Sequence, residues 1–498
     1  MTEVESPSSP PVVEVGIPFG EQLRLLALGS PDLVALTMVS ADGSEALFTL
    51  DQLDRGANQW GRTLADRGAD LGTLVGLAIP NSVEFILAAL ACWKVGAVPV
   101  PMRWDLPTWE LTRLLEALQA AVVVDEDNRA ELTEDAAGRP DTDLPVAVSP
   151  MQNGICSSGS TGLPKIILNM RPAEWTSTLS EPFAAYWAPV PRPQTILVPG
   201  PMYHTNGFNP LLYLLGGDRL VVLEKFSAAA VFDVIERHRV THFTATPTML
   251  GRIADVPGAA QRDLSSVAWV MQGAAAMPPD LLRRWFDLLS PEQIVMAYGM
   301  TENLGLATLR GDEWLLHPGS VGRGFRETEI RILDEHGAAV PTGEIGEIYL
   351  RAPMNDTYQY LGGAAPAVPT ADGFRSAGDL GRLDEDGYLY IADRRTDMIV
   401  SGGANVFPAE VENALIAHPG IVDVVVLGLK DPEWGRRVHA VVQVAANGDA
   451  LTERDVIQYA KGRLARYKVP KTVEFVDEIP RTAATKVSRS AMVEARGG

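Results

Sequence analysis

Positive charge is scarce in this chain: 42 Lys and Arg stand against 63 Asp and Glu among 498 residues, a formal net charge of −21. A surface of that sign repels phosphate backbones and anionic lipid, so neither nucleic acid nor a membrane surface is an expected partner. Cysteine is nearly absent. Cys92 and Cys156 are the only two, they lack metal-ligand spacing, and a reducing cytoplasm suits them better than a disulfide scaffold. No apolar run is long. The longest, Phe85 to Trp93, stops at Lys94, far short of the roughly 20 residues that span a bilayer. The opening MTEVESPSSPPVVEV has no basic stretch, which argues against a secretory leader. The expectation is a soluble cytoplasmic protein without a membrane span.

What is present is ordinary globular material, 46% hydrophobic and 21% charged, in a chain too long for one core. Residues 1–11 read as a disordered lead-in. From 12 to 393, short β-type runs alternate with helical patterns, which predicts parallel sheets covered by helices. Examples are Val75–Pro80 before the amphipathic Ser82–Val95, then Ala121–Asp125, Thr195–Pro199, Arg219–Leu223 and Thr241–Ala245. Near 325–393 the texture becomes a β-meander with Asp/Gly turns, a β-rich subdomain. From 394 to 498 a small α+β domain is expected, with a helix at Pro408–Ala417, strands at Val422–Leu427 and His439–Val444, and a helix after Thr452. The fold class is therefore α/β: a large amino-terminal region of two parallel-sheet subdomains plus the β-rich one, then a small mobile domain. No fixed-period repeat appears.

The most informative segment is Ser157-Ser158-Gly159-Ser160-Thr161-Gly162-Leu163-Pro164-Lys165. Glycines let backbone approach an anion, hydroxyls and successive N–H groups make a concave nest, and the lysine adds charge. It is not a Walker P-loop, and taken alone it is equally a solvated linker. Further along stand Pro201-Met202-Tyr203-His204-Thr205-Asn206-Gly207, Gln272-Gly273-Ala274-Ala275, Tyr298-Gly299-Met300-Thr301-Glu302 and Ala377-Gly378-Asp379. After them come Asp393-Arg394-Arg395-Thr396-Asp397, the Gly402-Gly403 turn, and Pro480-Arg481-Thr482-Ala483-Ala484-Thr485-Lys486. Each has a bland reading as well: a turn, a strand end, a core aromatic or a solvent-facing lysine.

In this order the segments resemble those of the adenylate-forming superfamily, whose phosphate loop reads S/T-S-G-T/S-T-G-x-P-K. Ala377 and Thr485 depart from it, standing where Thr and Gly are usual. The resemblance implies an ATP- and Mg²⁺-dependent ligase that converts a small-molecule carboxylic acid to its acyl-adenylate. It implies phosphate binding by Ser157 to Gly162 and Lys165, and an adenine site from Gly273, Ala274, Ala275, Tyr298, Gly299 and Met300. Asp379 and Arg394 would hold the ribose, Thr301 would donate to the α-phosphate, and Glu302 would ligate Mg²⁺. Lys486 would bridge carboxylate and α-phosphate, and His204 would shape the acyl pocket. Gly402 and Gly403 would line the acceptor's path once the second domain rotates.

Pro101–Pro107 and Asp431–Val438 resemble acyl-CoA synthetases of the fatty-acid and bile-acid ligase type, which makes coenzyme A the expected acceptor. Amide bond synthetases of the marinacarboline type share the scaffold, with an amine as acceptor, and a non-catalytic nucleotide-binding scaffold is a third reading. Pocket-wall candidates are His204, Asn206, Gly207, Phe208, Ala274, Ala275 and Met300. The small ones among them are expected to leave room for a bulky, ring-bearing acid.

Overall fold

The computed structural model describes residues 15–106, 108–157, 165–353, 357–361, 367–394, 397–401, 404–444, 451–481 and 487–497; the side chains of Trp109, Ser157 and Arg394 fall outside that description. Its centre is a nine-stranded sheet. Six neighbouring strands are parallel, in the order Ile294–Gly299, Trp269–Gln272, His242–Ala245, Thr195–Val198, Arg219–Leu223, Val34–Val39. Antiparallel strands finish both edges. The chain passes from Thr195–Val198 to the strand on one side and then to the strand on the other. This is a reversal of strand order, and in such sheets ligands bind beyond the carboxyl ends at that point.

Parallel strands buried on both faces need apolar runs, and RLVVL and TILV supply them. On one side pack the helices Phe19–Gly29, Leu50–Asp66 and Val83–Val95. On the other pack Ala228–His238, Pro247–Ala254 and Pro279–Phe286. Val83–Val95 starts where the Ser82 side chain accepts from the Phe85 N–H at 3.2 Å and ends on Gly96 at φ +80°. It is buried almost all round, which accounts for the apolar Phe85–Trp93 run without a membrane. Among the described residues no helix is long and apolar enough to cross one. Both cysteines are free thiols, and burial pushes Cys156 up to about 12.

The sequence-expected elements appear with shifts of a residue or so in the first domain. A parallel trio pairs Leu74–Ala78 with Val98–Pro101 and Val122–Asp125. The β-meander is a four-stranded sheet of Glu329–Leu333, Gly346–Arg351, Arg375–Leu383 and Leu389–Arg394. Tyr358–Leu361 does not join it; that strand pairs with Lys165–Asn169, which pairs in turn with Asn153–Ser157. In the second domain the strand expected at Val422–Leu427 runs from Ile421 to Asp431 and forms a long hairpin with Gly435–Val444. Pro408–Ile416 and Glu453–Lys461 cover one face of it, and Met492 of Arg489–Glu494 packs on the other. Arg489 bonds Asp397 at 3.1 Å and Glu412 at 2.7 and 2.8 Å.

Inside the first domain the Lys94 ammonium meets Asp54 at 2.7 Å, with side chains only 5% and 8% exposed. Burial pushes the Asp54 carboxyl above the usual carboxylate range and Lys94 pulls it back. Removing the cation alone strands a buried acid. Lys94→Met is expected to cost about 3–5 kcal/mol and lower the thermal midpoint, while adding Asp54→Leu restores most of the loss; differential scanning calorimetry of both variants checks it.

Candidate active site

Among the described residues, the Gly273–Ala275 turn, Asn206 and the end of the Ile294–Gly299 strand come together at the carboxyl ends of the central strands. Gln272 ends its strand buried and donates its side-chain N–H to the carbonyls of Gly273 (3.2 Å) and Ala275 (2.6 Å). That staples the turn, in which Ala274 takes φ +72°, an uncommon conformation for a residue with a Cβ. A Cβ added to Gly273 would lie 3.7 Å from Asn206 Nδ2 and 4.0 Å from the Ala297 carbonyl. The turn, the His204 loop and the Ile294–Gly299 strand therefore face one another across a narrow gap.

His204 sits at the start of the short helix Thr205–Phe208, half-buried, its ring 4.6 Å from that of Tyr203. Two neighbours do not behave as pocket walls. Gly207 is small because its Cα packs on backbone: a Cβ would come within 2.1 Å of the Pro201 carbonyl oxygen, so the glycine adds no room. Phe208 is buried in the core, edge-on to Phe85 at 6.3 Å and Trp93 at 5.9 Å. Ala274 and Ala275 are exposed and Met300 is half-buried against the β-rich core.

Tyr298 and Gly299 close a strand, and Met300–Asn303 is a tight turn in which the Asn303 N–H reaches the Met300 carbonyl at 3.0 Å. Thr301 and Glu302 are thus presented by a turn, with no helix following it. Two phenols fix the acids of the site. Tyr298 donates to Asp379 Oδ2 at 2.6 Å, and Tyr360 donates to Glu302 Oε1 at 2.7 Å. Burial, reinforced by the Glu302 carboxylate, holds the Tyr360 phenol well above its ordinary range, so it keeps its proton. Asp379 is the register partner of Arg394 across the sheet, which brings the two ribose candidates side by side along the backbone. Lys165 Nζ lies 5.2 Å from the centre of the Tyr360 ring, within cation–π reach.

Ser157 and Lys165, which flank the expected phosphate loop, are register partners on neighbouring antiparallel strands. Ser158, Gly159, Ser160, Thr161 and Gly162, the glycines Gly402 and Gly403, and Lys486 lie outside the described residues. No cluster of three or more metal-ligating side chains occurs among the described residues. Mg²⁺ needs none, since it keeps waters and substrate phosphates as ligands and takes one or two carboxylates. Glu302 fits that donor set: Tyr360 engages one oxygen and the other would hold the ion. Sequence reading missed Tyr360 entirely. Its only signal was the alternating TYQYL, a strand pattern that says nothing of its partner 58 residues away.

Two carboxylates oriented by tyrosines beside the Gly273–Ala275 turn, with Lys165 close by and a small second domain after them, fit an adenylate-forming enzyme. The chain belongs to the AMP-binding enzyme family, whose model matches residues 26–358 while that of the AMP-binding enzyme C-terminal domain matches 410–486. It is 34% identical to a feruloyl-CoA synthase of Amycolatopsis sp over 467 residues, covering 89% of this chain and 93% of that one. An indoleacetate–CoA ligase of Aromatoleum aromaticum is 32% identical over 82% of this chain and 85% of its own. Among solved structures, the o-succinylbenzoate CoA synthetase of Bacillus subtilis bound to its acyl-adenylate intermediate superposes with a TM-score of 0.81, at 26% identity, over 95% of this chain and 97% of that one.

If Tyr360 aims Glu302 at the metal, Tyr360→Phe will raise the Mg²⁺ concentration for half-maximal pyrophosphate release about tenfold, as loss of such a supporting bond commonly does. The KM for ATP at saturating Mg²⁺ should move less than about twofold. An Mg²⁺ titration of both enzymes decides it; an unchanged requirement would separate Tyr360 from metal binding.

Proposed function

We propose that this protein is an ATP-dependent ligase that joins a ring-bearing carboxylic acid to coenzyme A. The observation that carries the reading is the convergence, at one crevice, of Asp379 held by Tyr298 and Glu302 held by Tyr360 beside Lys165. The named relatives support the acid class and the acceptor, since feruloyl, indoleacetyl and succinylbenzoyl groups all carry rings.

In the first half-reaction a carboxylate oxygen attacks the α-phosphorus of ATP, the bond to the bridging oxygen breaks, and pyrophosphate leaves with that electron pair. Two anions must approach, so charge and orientation dominate the barrier. Mg²⁺ neutralises the triphosphate when bound. Glu302 offers it an oxygen, Thr301 donates to the α-phosphate, and the nest of Ser157 to Gly162 with Lys165 holds the outer phosphates. Tyr298 stacks on adenine beside the Gly273–Ala275 turn and Gly299–Met300, while Asp379 and Arg394 take the ribose hydroxyls. Lys486 bridges the reacting oxygens. In the second half-reaction the thiol sulfur attacks the acyl carbon, the C–O bond to AMP breaks, and the thiol proton passes to solvent. The domain from about Arg394 rotates between the two, withdrawing Lys486 and bringing Gly402 and Gly403 to the thiol's path, with His204 at the acyl pocket.

Two measurements test this. Mass spectrometry of reactions with ATP, Mg²⁺ and aliphatic, aryl and steroid acids should show acyl-CoA from ring-bearing acids only when CoA is present. Amide formed in CoA-free tubes containing amines would instead make the acceptor an amine. Lys486→Ala should cut pyrophosphate release by far more than tenfold, a loss above about 1.4 kcal/mol, while calorimetric ATP affinity stays within about threefold. Release within tenfold of wild type would remove Lys486 from the chemistry.

A further inference from the structure

Over the strands His242–Ala245, Trp269–Gln272 and Ile294–Gly299 the two faces of the central sheet are filled unequally. On one face Leu197, Phe243, Ala245, Val270, Ile294 and Met296 are all buried against helices. Side chains alternate along a strand, so Thr244, Met271 and Ala297 belong to the opposite face. Each is only half-buried, although these strands have hydrogen-bonded neighbours on both sides. Space is therefore left over this row, and it begins where Asn206 and Ala297 face Gly273.

Followed toward the amino ends of the strands, the row continues to His242 and Trp269. They are register partners, their rings are stacked at 4.0 Å and 10°, and Tyr213 meets His242 edge-on at 5.6 Å. Gln194 stands two residues before Ile196, the register partner of His242 on the next strand. All three of Gln194, His242 and Trp269 are 1% exposed. Yet His242 Nδ1, Trp269 Nε1 and both ends of the Gln194 amide have no hydrogen-bond partner. Leaving one buried polar group unsatisfied costs about 1–3 kcal/mol, and native structures seldom do it. Four such atoms at the closed end of a half-filled face mark a place where something else supplies the partners. Burial drives the His242 imidazole down to about 3, so it stands there neutral, able to donate or accept according to tautomer. Trp269 donates only and the glutamine does both, a set that suits an oxygen carrying its own hydrogen.

We propose that His242, Trp269 and Gln194 form the far wall of the acyl pocket and recognise a hydroxyl group at the end of the acid remote from its carboxylate. This rests on the acid-ligase reading and narrows it. Trp269 lies four residues before Gly273, about 13 Å at roughly 3.3 Å per residue. A ring with a short acidic side chain and a distal oxygen spans such a distance, whereas acetate cannot.

The test uses the full-length enzyme and paired aryl-propenoic acids that differ only by hydroxyl or hydrogen at the ring position opposite the side chain. Wild type should favour the hydroxylated acid by about tenfold or more in kcat/KM for pyrophosphate release, since a site built to bond a hydroxyl rejects the analogue lacking it. In Trp269→Phe and in His242→Phe that ratio should fall below about threefold. Wild-type enzyme that releases pyrophosphate equally from both acids would mean that water satisfies these atoms, and the proposal falls while the ligase reading stands. The same holds if folded variants of both residues keep the full preference. No pyrophosphate from any acid of a broad panel would sink the ligase reading and this proposal with it.

Discussion

Carboxylate and triphosphate repel one another, and a chain with a net charge of −21 can do little to relieve this through its overall field. Relief has to be local and oriented. Elsewhere the chain balances buried acids with cations, as Asp218 with Arg192 at 2.7 Å and Asp54 with Lys94 at 2.7 Å. At the crevice, tyrosine hydroxyls do the orienting: Tyr298 for Asp379 and Tyr360 for Glu302. A phenol fixes a carboxylate without cancelling its charge, and a carboxylate held in that way can still attract a divalent cation.

Those tyrosines come from different sheets, and the packing of the sheets is what makes the arrangement rigid. Tyr298 ends a central parallel strand. Asp379 belongs to the four-stranded sheet, and Tyr360 belongs to the three-stranded sheet that also carries Ser157 and Lys165. The crevice is thus the meeting point of three sheets, with Leu304, Ile167 and Leu350 sharing one apolar cluster beneath it. Sites carried on strands hold geometry more tightly than sites carried on loops.

Much of this was legible in the residues. Alternating strand and helix patterns place the parallel sheets, because burial on both faces demands uninterrupted apolar runs such as Arg219–Leu223. The ordered motifs mark Tyr298, Glu302 and Asp379 as neighbours in function. What local patterns cannot carry is contact over long separation. Tyr360 finds Glu302 across 58 residues and Tyr298 finds Asp379 across 81, and nothing in either strand encodes its partner. Side-chain size also misleads. Gly207 looks like pocket space and is instead backbone-to-backbone packing, while Phe208, beside the pocket in sequence, turns into the core. The unpaired nitrogens of His242 and Trp269 are invisible in two short strands whose sequences say nothing of each other.

Arg489 has a mechanical consequence. It clamps Asp397, just past the domain boundary, to Glu412 on the first helix of the second domain. Lys486 lies three residues before it, a tether of at most about 11 Å of extended chain. Arg489 thereby ties the segment at Asp397, the helix Pro408–Ile416 and the helix Arg489–Glu494 into one unit, so that these three parts of the second domain move together.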